Sequence, residues 1–415
     1  MNRLIRDERL SFVLSDIVTR VRTVEENDSL HILTISSTQG WVDQRDRWAR
    51  HMAGQSLKKY TKLNRGDFSY NKGNSKTFPY GCMFRLNKWR EAVVPNVYHS
   101  FRISSNFVHS DYLQQYFWSG GLDVQLRRIL TSGARDNGLL NITADAFFGL
   151  SVELPPLPEQ QKIAAILTSV DDVIEKTQAQ INKLQDLKKG TMNELLTRGI
   201  GHTEFKESPV GLIPVGWEVK KLGAVANIQG GYAFKSTDAV DSGVRWLKIA
   251  NVGVGEVMWE NRSFLPYNFK VEHCNYVLEE GDVVVALTRP VLSRKLKVAK
   301  VKASDSGALL NQRVGRIQCK CDVNLDFLYC VVQSKYFVDM IETIVFGSDP
   351  PNISGQQIES INIVIPSPKE RNVIVKLLTS MDAKIKAKHA KLQHTQTLKK
   401  ALMQDLLTGK TRVAV

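Results

Sequence analysis

Asp349-Pro350-Pro351-Asn352 stands in the order that amino-group methyltransferases use to grip a flipped base. That grip needs an aromatic ring in fourth place to stack on the base, and here the fourth residue is Asn352, with no FxGxG cofactor turn elsewhere. Gly409-Lys410-Thr411 has the ending of a phosphate-binding loop. The leading glycine of GxxxxGK(S/T) falls on Gln404, however, and the segment follows a helical pattern instead of a strand. Glu204-Phe205-Lys206 lacks the upstream Pro-Asp of a nuclease, and the eight histidines show neither metal spacing nor a nucleophile partner. The five cysteines (82, 274, 319, 321 and 330) are an odd, scattered set with one CxC pair, which predicts reduced thiols in a cytoplasmic protein. These patterns predict no catalytic residue, no metal and no cofactor in this chain.

What the chain does offer is cations interleaved with rings. Residues 41–50 set Trp41 and Trp48 among Arg45, Arg47 and Arg50. Residues 58–76 set Lys58, Lys59, Lys62, Arg65, Lys72 and Lys76 among Tyr60, Phe68 and Tyr70. Residues 288–303, TRPVLSRKLKVAKVKA, carry Arg289, Arg294, Lys295, Lys297, Lys300 and Lys302 with no acidic residue. Lysine and arginine at this density neutralise phosphates, and Arg, Lys, Asn and Gln read base edges. The net charge of +14 agrees with a polyanionic partner. It divides as +6 over residues 1–158, zero over 159–368 and +8 over 369–415.

The elements that must position these residues are legible as a repeat. Residues 141–197 return without a gap, 211 positions later, as residues 352–408, with 19 of 57 positions identical. Pro155/Pro366, Glu159/Glu370, Asp171/Asp382 and the LKK at 187–189 and 398–400 are among them. Within the repeat, Ile163, Leu167, Val170, Ile174, Thr177, Ile181 and Leu184 are spaced alternately four and three, a coiled-coil seam. Ile374, Leu378, Met381, Ile385, Lys388, Leu392 and Thr395 repeat that lattice, and Gly199 and Gly409 mark the stops. The pattern predicts two helices of roughly 38 residues, about 57 Å each, packed on one another or each on its own globular block. A Gly/Pro-rich linker over 200–216 leads into the second block. Short apolar runs separated by turn residues predict mixed strand-and-loop blocks before each helix. LNRGDF at 63–68 echoes LEEGDV at 278–283. No run of 18 apolar residues predicts a membrane span, and the charged N-terminus does not read as a signal peptide.

The repeated LPPLPEQQKIAAIL…LKK…LL…G, followed by GLIPVGWEVKKLG, closely resembles the specificity subunits of Type I restriction–modification systems. IPVGWEVKKLGAVANIQGGYAFKS (213–236) is similar to the opening of a target recognition domain of that family; GDVVVALTRP (281–290), GALLNQRVGRI (307–317) and LNRGDFSYNK (63–72) resemble its interior.

The resemblance covers essentially the whole chain. It implies an α/β (α+β) architecture: a first recognition domain over 1–155, a central spacer helix over 156–199, the linker, a second recognition domain over 217–365, a distal spacer helix over 366–409 and a tail over 410–415. It further implies that each recognition domain reads one half of a bipartite double-stranded DNA site, with antiparallel helices fixing the gap. Two methyltransferase subunits would dock on the assembly and supply adenine methylation from S-adenosylmethionine. Restriction/translocase subunits would join them, and no membrane is involved. The expected DNA contacts are Arg45, Arg47, Tyr70, Lys72, Tyr232, Lys235, Arg289, Arg294, Lys295, Lys297, Gln312 and Arg313. Ile163, Leu167, Ile174, Leu378 and Ile385 are expected to be structural, and the opposite helix faces to receive the methyltransferases. Two departures stand out. The second copy reads PSPKER where the family favours PPLPEQ, and its helix is the more basic, with Lys384, Lys386, Lys388 and Lys391. The first block also lacks the GW…KLG opening. A scaffold without DNA specificity and a self-sufficient methyltransferase are the rival readings.

Overall fold

The periodic stretches are helices of 41 and 40 residues, Leu157–Thr197 and Pro368–Leu407. The computed structural model describes residues 9–24, 30–36, 39–47, 60–73, 78–130, 140–320 and 322–414. Each helix opens with proline and glutamate in its first turn. Each ends before a glycine in the left-handed region, Gly199 at φ 68° and Gly409 at φ 77°, the usual way to stop a helix. Residues Met1–Ala179 with Ala390–Val415 form one compact unit and Gln180–His389 the other, so each unit takes a part of both helices.

In the first unit, Lys399 of the distal helix pairs with Asp171 of the central helix at 2.6 Å. Leu406 and Leu407 join Ile163 and Leu167 in one core, so the two segments run antiparallel. In the second unit, Lys188 pairs with Asp382 at 2.5 Å and Lys388 donates to Gln180 Oε1 at 2.7 Å, again antiparallel. The two ion pairs join equivalent positions of the repeat. Ile163, Leu167, Ile181, Ile374, Leu378 and Leu392 are all buried, as is Thr177. Both packings foreseen from the seam occur: the mid-helix positions face the other helix, and Ile163, Leu167, Ile374 and Leu378 also enter the globular cores.

Each unit builds the same mixed frame beside its helix segments. In the first, Val18–Arg20, His99–Ile103, Phe68–Asn71 and Cys82–Arg85 form a four-stranded antiparallel sheet in that order. In the second, Ala226–Gly230, Val314–Cys319, Val283–Ala286 and Val298–Lys300 do the same. The first unit adds a sheet of Gly40–Asp43, His31–Ser36, Glu91–Pro95 and Tyr60–Asn64, and the second a three-stranded sheet around Val244–Leu247. Thr143 and Ser354, equivalent in the repeat, cap the short helices Ala144–Phe148 and Gly355–Glu359. The strands that follow, Ser151–Leu154 and Asn362–Ile365, pair with Leu10–Val13 and Glu218–Lys221.

The last pairing resolves a gap in the sequence reading. LSFVLSDIV at 10–18 forms the strand and helical turn that EVKKLGAVA forms at 218–226. The first block therefore has the opening of the second without its tryptophan and glycine. The echo between LNRGDF and LEEGDV is one turn built twice. Gly66 (φ 98°) and Gly281 (φ 93°) take the left-handed conformation. Asp67 and Asp282 accept the amides of Asn64 and Glu279, and each carboxylate meets an arginine on the neighbouring strand, Arg102 at 2.6 Å and Arg316 at 3.2 Å.

Candidate nucleic-acid interface

Neighbours in the four-stranded sheet of the second unit are antiparallel, so alternate strand ends meet at one edge. Gly230 lies opposite Gly315, Ala286 opposite Val314, and Val285 opposite Val298. The segments leaving that end carry Tyr232, Gln312, Arg313, Arg289, Arg294, Lys295 and Lys297. Seven residues scattered over 82 positions of sequence are thereby gathered.

The crossing of two backbones places the first pair. A Cβ at Gly231 would lie 2.3 Å from the Leu310 carbonyl, so only glycine permits the approach. The Tyr232 amide then donates to Leu310 O and the Gln312 amide to Tyr232 O, both at 2.9 Å. The Tyr232 ring, 41% exposed, lies 4.1 Å from the His273 ring and 5.6 Å from that of Tyr276. This is a supported aromatic face open to solvent.

The basic run from 289 forms a hairpin. Val291 pairs with Leu296 and Leu292 with Lys295. The two turn residues, Ser293 (φ 50°) and Arg294 (φ 58°), are both left-handed, as a two-residue type I′ turn demands. Arg289 is left-handed too, at φ 47°. These are the three non-glycine residues of positive φ among the described residues. Such conformations are unfavourable for a long side chain, and here the surrounding bonds hold them. The Arg289 amide donates to Pro351 O at 2.7 Å and the Leu287 amide to Arg313 O at 2.9 Å. Arg289, Arg294, Lys295, Gln312 and Arg313 are exposed. Lys297 behaves differently. It is half-buried, its ammonium donates to Ile249 O at 2.7 Å, and burial lowers its pKa. Lys300 and Lys302 pair with Asp326 and Glu256. Those two are tied to carboxylates, whereas Arg289, Arg294 and Lys295 are exposed at the hairpin and its base. Lys235 is exposed three residues beyond Tyr232, where its amide meets Asp238 Oδ2.

The quartet Asp349-Pro350-Pro351-Asn352 has a structural use beside the same edge. Asn352 Oδ1 accepts the Thr288 hydroxyl at 2.6 Å and Pro351 supplies the carbonyl for Arg289.

The first unit corrects one expectation outright. Tyr70 is 2% exposed; its hydroxyl donates to Tyr80 O and its ring stacks on Phe147 at 4.5 Å. It is a core residue: Phe68 and Tyr70 share one face of the strand and Ser69 lies on the other, and all three are buried, so the strand is covered on both faces. Burial raises its pKa as well. Lys72, the next residue but one, is half-buried, and its carbonyl accepts the Leu140 amide at the end of the sheet that corresponds to the hairpin end of the second unit. Arg45 is exposed on the short helix Gln44–Arg47, and its guanidinium donates to Leu30 O at 3.4 Å. That helix borders the other sheet, so the structure does not bring Arg45 to Lys72's edge through a shared strand. The Arg47 side chain and Trp48, Arg50, Lys58, Lys59 and Lys76 lie outside the described residues.

Sequence reasoning did not single out the joints that hold each frame. Glu159, 3% exposed, accepts the Arg412 guanidinium at 2.7 to 3.1 Å. Its repeat partner Glu370 accepts Trp217 Nε1, the Ile200 amide and His202 Nε2, each at 2.9 Å. Both glutamates were visible as identities of the repeat, and burial of a carboxylate next to a proline turn explains the constraint. Cys82 and Cys330 are buried thiols pushed up to about 12 by desolvation, and Cys321 is outside the described residues. Among the described residues, no group of three or more His, Cys, Asp or Glu could hold a metal ion, and no helix is long and apolar enough to cross a membrane.

A duplicated frame of sheet and long helix, with a cationic hairpin on one sheet end, defines a modular two-unit architecture. The family model for the Type I restriction modification DNA specificity domain matches residues 97–186 and 214–395. The chain is 38% identical over 286 residues to the Type I restriction enzyme MjaVIII specificity subunit of Methanocaldococcus jannaschii, covering 68% of this chain and 67% of that one. It is 33% identical over 174 residues to the EcoAI specificity subunit of Escherichia coli, covering 41% of this chain and 29% of that one. The crystal structure of the S subunit of a Type I restriction–modification system from M. genitalium shares the fold, with a TM-score of 0.58 at 12% identity over 98% of this chain and 97% of that one. This chain belongs to the family of Type I restriction–modification DNA specificity subunits.

Proposed function

We propose that the chain reads a bipartite DNA sequence, each unit engaging one half-site through the hairpin end of its four-stranded sheet. The observation that carries this reading is the gathering of Tyr232, Gln312, Arg313, Arg289, Arg294 and Lys295 at one sheet end. Guanidinium groups can bond guanine O6 and N7, Gln312 can bond adenine, and the remaining cations neutralise phosphate. The first unit would use the corresponding end, where Lys72 sits.

The same reading makes this chain the non-catalytic subunit of a cytoplasmic complex. Adenine methylation from S-adenosylmethionine belongs to two methyltransferase subunits, and cleavage to restriction/translocase subunits. A pair of leucines supports two equivalent partners. Leu187 and Leu398 hold the same place in the repeat and are 58% and 45% exposed. An apolar side chain retained twice at an outward helical position suits a partner surface.

Single-molecule methylome sequencing of cells expressing this chain with its methyltransferase partner tests the proposal. A new split motif, with adenine modified in each half, is the expected result. A purified complex that yields no new motif would overturn it in favour of a scaffold without specificity.

A further inference from the structure

Phe346 is the most exposed large hydrophobic side chain among the described residues, at 91%, and Leu292 on the hairpin is 58% exposed. Both belong to the edge described above. Helix Lys335–Val345 packs on the hairpin strand Val291–Leu292, and Phe346 is its C-cap residue. The loop that follows is fastened to the base of the hairpin by three contacts. Pro351 O accepts the Arg289 amide, Asn352 Oδ1 accepts the Thr288 hydroxyl, and the Ile353 amide donates to Leu287 O at 2.9 Å.

The backbone around Phe346 is itself bonded. Its amide donates to Thr343 O, and the Ser348 amide and hydroxyl both reach Val345 O, the hydroxyl at 2.7 Å. Gly347 turns the chain at φ 81°. An ordered turn thus holds an aromatic ring out in water, where it forgoes the gain that burial would bring.

We infer that Phe346, at the end of the helix that packs on the hairpin carrying Leu292, is an apolar wedge that presses against the base stack of bound duplex, so that recognition by the second unit includes local unstacking. The inference rests on the DNA-reading assignment above. Charge identifies the occupant. Arg289, Arg294 and Lys295 are exposed on the adjoining hairpin and draw a phosphate backbone towards it. Asp349, exposed in the Phe346 loop, repels phosphate, which favours base edges over the strand backbone at that point. Apolar side chains flanked by cations are what DNA-kinking proteins insert between base steps.

The test uses the complete chain assembled with its methyltransferase partner and a duplex carrying the motif found by methylome sequencing. 2-Aminopurine is moved step by step through the half-site read by the second unit. Wild type should raise its fluorescence at one step. F346A should abolish that rise and weaken binding by about tenfold, with an unchanged salt slope because no charge is removed. F346L should retain part of both effects. R294A separates the two levels of the argument. If R294A weakens binding while F346A leaves affinity and fluorescence unchanged, the wedge is wrong and the DNA-reading assignment stands. If R294A has no effect either, the assignment itself fails. Loss of partner assembly by F346A without DNA would show that the ring serves a protein interface instead, and would also overturn the wedge.

Discussion

The two units solve the same folding problem with different side chains, and the differences fall where chemistry is local. Sheet order, the Gly-Asp turn, the capped short helix and the helix–helix ion pair recur in both. The joints do not. Where the second unit ties Glu370 to Trp217 and His202, the first ties Glu159 to Arg412, and Arg9 donates to Leu406 O and Leu407 O at the end of the distal helix. A buried carboxylate at a fixed place demands donors, yet it accepts an indole, an imidazole or a guanidinium alike. Position is therefore preserved while residue type drifts. The second unit ends its sheet in a type I′ hairpin over Val291–Leu296, and of the corresponding connection over 72–81 in the first, residues 74–77 lie outside the described ones.

This contrast can be broken at graded cost. The largest effect is expected at the duplicated Gly-Asp turn. Asp67 is 1% exposed and makes two bonds to Arg102, at 2.6 and 2.9 Å, whereas Asp282 is 21% exposed and meets Arg316 at 3.2 Å. Because the Arg102 side chain is itself 53% exposed, water tempers the loss. D67N should cost about 2–3 kcal/mol and D282N about 1 kcal/mol, read from urea unfolding. Equal costs would mean that the two turns are not distinguished by burial.

Acid should separate the units next. His99 in the first sheet is held neutral by burial, which lowers its pKa from 6.5 to about 4. A group whose folded pKa is depressed gives stability that is complete above the unfolded value and is lost as pH falls from 6.5 towards 4. The first unit should lose on the order of 1–3 kcal/mol over that window. H99Q should flatten the dependence, as followed by hydrogen exchange of each unit against pH. A profile unchanged by H99Q would contradict the assignment.

DNA affinity comes third. R294A should weaken binding roughly tenfold and lower the slope of log affinity against log salt by about 1 if the guanidinium meets phosphate. A loss confined to one base position, with the slope intact, would sharpen the role to base reading. The smallest effect is expected from G66A and G281A. A Cβ at either glycine meets nothing within 4 Å, so only the left-handed backbone is taxed, about 1 kcal/mol in each unit. A marked inequality would show that the turns differ in strain.

Much of this plan was legible because helices advertise themselves. The repeat, the seam and the glycine stops are periodic, and burial follows the seam at Ile163, Leu167, Ile374 and Leu378. The opening of the first unit was hidden because a strand pairing needs backbone bonds and alternation, not identity: LSFVLSDIV and EVKKLGAVA share little beyond Leu14 and Leu222. Tyr70 misled because a ring between lysines marks a nucleic-acid surface and an alternating strand equally well. Lys297 looked like its neighbours in sequence, yet Ile249 O holds its ammonium. Phe346 carried no sequence signal at all; only its exposure beside the hairpin gives it interest.

The central claim is that each unit reads its own half of a split site. Methylome sequencing of cells carrying the R289A/R294A double variant with the methyltransferase partner tests it most directly. The account predicts that one half of the methylated motif relaxes or changes while the other half and the gap between them stay as in wild type. Simultaneous loss of specificity in both halves, from a complex that still assembles, would contradict it.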